Sequence, residues 1–291
     1  MTEPEKERVV TLTSTGALRL RSERAPTGAR LFAFLLAPFR WMLVSYRYAF
    51  MWDLYRDRFT QHARLHGRRV IHAEDVLAWA LTQDATEEFL ASFAVDISDL
   101  RARAALLART VHERDPDHAR HKKIEPRTAD VLDEIATTRA NSGFLRGLRE
   151  VDLLIALREL AGHPVSDLFD EIGLTRYALR YRVSHGTLPS DPQITPARQD
   201  QRVQLIFHND DWTPQRFVLD VLTRIVGVKP GSEVGLMLKV HTEGNAAVRE
   251  GTAGEINPIA VAVFRTTMQV GHPLRIEVRP IGEADTHEES V

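Results

Sequence analysis

Asn209, Asp210 and His241 are the residues of this 291-residue sequence whose types suit a shared chemical task. Asn209 offers an amide oxygen, Asp210 a carboxylate and His241 a neutral ring nitrogen, and each accepts hydrogen bonds. A primary ammonium carries three N–H donors, so three convergent acceptors match it. A free polypeptide amino terminus is such a group, with an unperturbed pKa of about 7.7–8.0. Met237, Val240 and a residue of the last strand can wall an apolar slot for one side chain beside it. Taken alone, Asn-Asp-Asp more often closes a turn on its own backbone. A single His on an apolar helix face is likewise more often packed in a core.

The flanking pattern supplies elements to position these groups. Val203, Leu205 and Phe207 alternate with polar residues, the period of a half-buried strand, ahead of the turn His208–Pro214. Thr213 reads as an N-cap with Pro214 at the first helical position. Phe217, Val218, Val221, Leu222 and Ile225 then recur at helical spacing until Gly227. A second helix, capped by Ser232, places Val234, Met237, Leu238 and His241 on one face and closes at Gly244. Asn257-Pro258 reads as another helix start, with Ala260, Val261, Val263 and Phe264 apolar. Leu274, Ile276 and Val278 alternate as a final strand.

The segment Gln201–Ile281 resembles the Clp-protease adaptor family, ClpS. The matching residues are Leu205-Ile-Phe-His-Asn-Asp-Asp-Trp-Thr-Pro214, Phe217-Val-Leu-Asp-Val-Leu222, Leu236-Met-Leu-Lys-Val-His-Thr-Glu-Gly244, Thr252-Ala253 and Gly271-His-Pro-Leu274. Members of that family bind N-terminal degrons, whose first residue is large and apolar, and hand them to a Clp unfoldase. The resemblance implies Asn209, Asp210 and His241 as ligands of the α-amino group. It implies Asp211, Thr213, Met237, Val240 and Leu274 as walls of the side-chain pocket. Gln215 stands where the family commonly has a Met that gates against β-branched side chains. Gly254 and Ile259 stand where a Glu and a Lys help dock the adaptor on its unfoldase, so the resemblance also implies an altered docking face.

At 291 residues the chain is long enough for two domains, and 43% apolar with 27% charged residues is an ordinary soluble composition. A net charge of −2 does not suggest a nucleic acid as partner. The absence of Cys excludes disulfides and fits a cytoplasmic protein. Residues 1–51 read as a polar arm to about Gly28, lacking the apolar core of a signal peptide, followed by an aromatic-rich helix from Leu31 to Trp52. Pro38, Arg40 and Arg47 interrupt that stretch and disfavour a transmembrane helix, because an Arg at the bilayer centre costs about 2.5–3.5 kcal/mol. Packing on its own domain or a partner chain is favoured over peripheral membrane contact.

Residues 52–186 read as helical, in two internal repeats over about 52–111 and 127–186. Phe59, Ala63 and His66 step along one face; Val76, Leu77, Ala80 and Leu81 form the next; Phe89, Leu90, Phe93, Leu100 and Leu107 continue. The second unit carries Val131, Leu132 and Ile135, then Leu153, Leu154 and Leu157, then Leu168, Phe169 and Ile172. Asp75 aligns with Asp152, and Val95–Arg101 with Leu174–Arg180. Between the units, His112–Lys123 reads as a solvated linker; the spacing of His112, His118 and His121 fits no closed metal site. His72–Leu81, Ala94–Leu100 and Val183–Gly186 resemble the double-repeat N-terminal domain of Clp unfoldases, particularly ClpA, which is the docking platform for such adaptors.

Residues 187–200 read as an extended linker and 283–291 as an acidic tail. The expected fold is multidomain: an all-α double-repeat helical domain, then a small α+β domain at 201–282 of ClpS-like order βααβαβ, with a three-stranded sheet. No phosphate loop, Gly-x-Ser-x-Gly or His-Glu-x-x-His motif occurs, and no cofactor or metal is expected. The sequence therefore points to a non-enzymatic adaptor whose partners are N-degron substrate proteins and a Clp-type AAA+ unfoldase. Its N-domain-like half would either dock a partner or, through contact between the two domains, cover the adaptor's own docking face as a built-in inhibitor. The alternative is a protein-interaction scaffold, membrane-associated if the 31–52 stretch binds a bilayer, that keeps the ClpS fold without delivering substrates for degradation.

Overall fold

Asp75 and Asp152 occupy the third positions of two buried helices, α2 (Ala73–Ala80) and α6 (Glu150–Arg158). Each carboxylate turns back to the amide just ahead of its helix: Asp75 accepts from His72 N–H at 3.0 Å and Asp152 from Arg149 N–H at 2.8 Å. These capping boxes satisfy amides that a buried helix start would otherwise leave bare. In the computed structural model the described residues are 56–63, 65–68, 70–114, 123–141, 149–190, 193–194 and 198–281. All fall in one compact unit, Tyr48–Val291.

Around α2 and α6 lie helical residues 56–63 (α1), α3 (Asp84–Ala91), α4 (Ile97–Arg114), α5 (Pro126–Asn141), α7 (Pro164–Glu171) and α8 (Arg176–His185). The helices run in two sets of similar order, α1–α4 and α5–α8. Asp96 caps the amides of Ser98 and Asp99 at the start of α4, and Thr175 caps Ala178 at the start of α8. Two short strands, β1 (Val70–Ile71) and β2 (Lys123–Ile124), pair in parallel. One apolar cluster joins Phe59, Val76, Leu77, Leu81, Leu90, Leu100, Leu132, Leu153–Leu157, Leu168 and Phe169. Each such side chain contributes about 1.5–3 kcal/mol by leaving water. His66, expected on this face, is exposed, because it lies in the turn that ends α1. His112 is not in a solvated linker: it belongs to α4 and places Nε2 3.0 Å from Asp75. His118, His121, the 31–52 stretch, the arm and the tail lie outside the described residues.

In the second part β4 (Arg202–His208) runs antiparallel to both β5 (Asn245–Thr252) and β6 (Arg275–Pro280). Phe207 faces Ala246 on one side and Ile276 on the other. These three antiparallel strands are the expected sheet, and a short strand from the linker, β3 (Gln193–Ile194), adds to it in parallel with β6, giving the order β3-β6-β4-β5. Helices α9 (Gln215–Val221), α10 (Glu233–Glu243) and α11 (Ala253–Val270) complete the βααβαβ order, and a π-helical turn, Leu222–Val226, extends α9. Val203, Leu205 and Phe207 meet Val221, Leu222, Ile256, Val263, Ile276 and Val278 in a second apolar cluster.

Three expectations shift. Helix α9 begins at Gln215 with Pro214 as its N-cap, one residue later than expected, because Pro214 is extended at ψ 137° and its carbonyl accepts the first helical bond, from Val218 N–H at 3.2 Å. Helix α11 begins at Ala253, not Asn257, because Thr252 and Glu255 form a capping box; Pro258 lies inside the helix. On α10 Met237 and Val240 are buried whereas Leu238 is 39% exposed.

Between the parts, α8 lies against the end of α11 and the loop that follows it. Tyr177 meets Phe264 edge-on, with ring centroids 6.3 Å apart. His185 Nε2 lies 2.7 Å from the Pro273 carbonyl, and Arg180 Nη1 donates to the Gly271 carbonyl at 3.4 Å. Among the described residues, no helix is long and apolar enough to cross a membrane.

Candidate functional site

The amide of Asn209 donates to the Gly244 carbonyl at 2.7 Å. This one bond ties the end of β4 to the end of α10, which Gly244 closes with a left-handed φ of 84°. His241 lies one turn earlier on α10, so its ring is brought to the Asn209 side chain. His241 Nδ1 stands 3.4 Å from Asn209 Oδ1. That is long for a hydrogen bond, but it suits two acceptors converging on one donor group. His241 is exposed and Asn209 half-buried, so the pair is open to a ligand.

Asp210 behaves differently. Its Oδ1 accepts from the amides of Trp212 at 2.8 Å and Thr213 at 2.7 Å, which locks the turn. Its Oδ2 is buried with no hydrogen-bond partner. Burial pushes the Asp210 carboxyl above the usual carboxylate range, against the pull of the Thr213 and Trp212 donors and of His185. The structure thus brings Asn209 and His241 together, while Asp210 turns into its own loop.

Among the pocket residues, Met237, Val240 and Leu274 are buried in the second apolar cluster. Asp211 and Thr213 are half-buried and Gln215 is exposed at the start of α9. Gly254 is also exposed, and its amide donates to the Gln199 carbonyl at 3.0 Å, so the end of the linker lies against that position. Ile259 packs partly on the apolar cluster.

Sequence reasoning missed Trp212 and Arg139. Trp212 leaves the sheet-bearing part and joins the apolar cluster of the helical part, with 5% of its surface exposed. The guanidinium carbons of Arg139 and Arg180 each lie 5.4 Å from its ring centroid. Arg139 Nη1 also lies 3.0 Å from Asp211 Oδ2. The sequence carried no signal for either contact, since an Arg on a charged helix reads as a surface residue.

The family model for ATP-dependent Clp protease adaptor protein ClpS matches residues 198–277. Three curated relatives bear the name ATP-dependent Clp protease adapter protein ClpS. That of Hydrogenovibrio crunogenus is 34% identical over 92 residues, covering 31% of this chain and 84% of the relative. That of Serratia proteamaculans is 33% identical over 87 residues, 30% of this chain and 82% of the relative. That of Sodalis glossinidius is 36% identical over 86 residues, 29% of this chain and 81% of the relative. Strands β4 and β5 and helices α9 to α11 lie inside the family match, which leaves out β3 and the last residues of β6.

Proposed function

Through residues 198–277 the chain belongs to the ClpS family of Clp-protease adaptors, and we propose that it captures proteins by a free α-amino group and a large apolar first side chain. It then presents them to a Clp-type AAA+ unfoldase supplied by another chain. The observation that carries this reading is the approach of His241 to Asn209 across two separate elements, with both side chains open to a ligand. The ammonium donates to both acceptors, and the first side chain lies against Met237, Val240 and Leu274. Asp211, Thr213 and Gln215 line the entrance. The protein acts by binding, without a catalytic step and without a cofactor, in the cytoplasm. The helical part, which resembles the N-terminal domain of Clp unfoldases, serves as a built-in platform for a partner or covers the adaptor's own docking face.

A second reading, an interaction scaffold that keeps the fold without delivering substrates, draws on the buried Oδ2 of Asp210 and on Gly254 and Ile259 at the docking positions. Titrating the full chain with labelled peptides that begin with Phe, Leu or N-acetyl-Phe separates the two. The adaptor reading expects the free-amine peptides to bind at least about tenfold more tightly than the acetylated one. Equal affinity for all three leaves only the scaffold.

A further inference from the structure

The turn that carries Asn209 and Asp210 is held from outside its own part of the fold. Arg139, on α5, is 3% exposed. Its Nε lies 3.5 Å from Asp152 Oδ2 and its Nη1 3.0 Å from Asp211 Oδ2, so one guanidinium spans two carboxylates. Asp152 is fully buried and is itself anchored by the Arg149 amide, so Arg139 is fixed from behind. In front, Asp211 is followed by Trp212, whose ring lies against both Arg139 and Arg180. Residues 210–213 form one locked unit through the Asp210 Oδ1 bonds. Whatever orients Asp211 and Trp212 therefore orients Asp210 as well, and Asn209, held on its other side by the Gly244 carbonyl, is the residue that leads into this unit. The same grip leaves His241 exposed and Asn209 half-buried, so it supports the amine-facing pair without covering it.

We propose that Arg139 is a positioning residue of the amine-binding site, acting through Asp211 and Trp212, so that the site is competent only when the helical part is docked on the turn. This rests on the adaptor reading above. Docking and ligand capture are then coupled, and each strengthens the other.

The test uses the full chain and a fluorescent peptide beginning with Phe, with its N-acetylated counterpart as control. Arg139→Gln is expected to weaken the free-amine peptide by about tenfold or more, and Arg139→Lys, which keeps the charge, to recover part of the loss. In an Asp211→Asn background, Arg139→Gln is expected to have little further effect, because the two residues act as one unit. Losses that multiply in the double variant, or Arg139→Gln binding within twofold of the parent, overturn the proposal. Should Arg139→Gln not fold, Trp212→Phe carries the test: a comparable loss supports the proposal and unchanged affinity overturns it. A parent chain that binds free and acetylated peptides alike overturns the adaptor reading itself. A parent that discriminates, with variants that match it, overturns only the role of Arg139.

Discussion

His241 Nδ1 and Asn209 Oδ1 lie 3.4 Å apart although the two residues are 32 positions apart in sequence. Neither helix α10 nor strand β4 alone sets that distance. It follows from the Asn209–Gly244 backbone bond and from the left-handed close of α10. An ammonium placed between the two atoms exchanges water for two charge-assisted bonds.

His241→Ala should therefore weaken a Phe-starting peptide by about 1.5–3 kcal/mol, the range for a hydrogen bond to a charged group, and leave an acetylated peptide unaffected. Binding should also fall as the pH rises past about 8, where the ligand's own amine loses its proton. Isothermal titration at pH 7 and pH 9 checks both.

Asp210 offers a separation of roles. Burial raises its carboxyl, so the folded state favours the protonated form, and stability from this group is lost as the pH rises through the folded value. Asp210→Asn keeps an oxygen for the Trp212 and Thr213 amides and removes the buried charge. It should hold or raise the melting temperature at neutral pH, with the gain shrinking towards acid pH. Asp210→Ala loses the turn's acceptor and should cost about 0.5–2 kcal/mol. If Asp210 also serves the amine, Asp210→Asn lowers peptide affinity in a protein that is no less stable.

Glu74 is buried on α2, with His163 Nε2 3.7 Å away and Oε2 without a hydrogen-bond partner. Burial, with Asp75 and Glu125 nearby, raises its carboxyl to about 7. Since the folded value lies above the unfolded one, the group's contribution is fully present below the ordinary Glu range and lost as the pH climbs to about 7. Glu74→Gln should thus stabilise the protein by about 2 kcal/mol at pH 8 and much less at pH 5. Thermal melts across that range give the comparison.

Gly271, at a φ of 73°, sits where Arg176 of α8 lies against the α11–β6 loop, and a Cβ there would stand 2.6 Å from Arg176 Cδ. Gly271→Ala should cost about 1–2 kcal/mol for the left-handed backbone alone, and more if Arg176 cannot move aside. Adding Arg176→Ala should relieve the second cost and not the first. Chemical denaturation of the two variants resolves them.

Much of the sheet-bearing part was legible because its signals are local. Val203, Leu205 and Phe207 alternate and are buried, and Gly227 and Gly244 close their helices with positive φ. The start of α11 was misread because a Pro usually opens a helix. Here the Thr252–Glu255 box acts first, and Pro258 forfeits one bond to the exposed Gly254. The inward turn of Asp210 was legible in the residues alone, since Asn-Asp-Asp more often closes on its own backbone, as its bonds to the Trp212 and Thr213 amides do; the resemblance pointed the other way, to an amine ligand. Least visible was Trp212. Its partners Arg139 and Arg180 lie on distant helices, and packing between separate parts of a chain leaves no period to read.

The pairing of Gln193 and Ile194 with Glu277 and Val278 has one last effect. The segment that tethers the helices to the sheet also occupies the outer rim of β6. An extended polypeptide seeking to lengthen the sheet by strand addition finds that rim already taken at those positions and is left with β5.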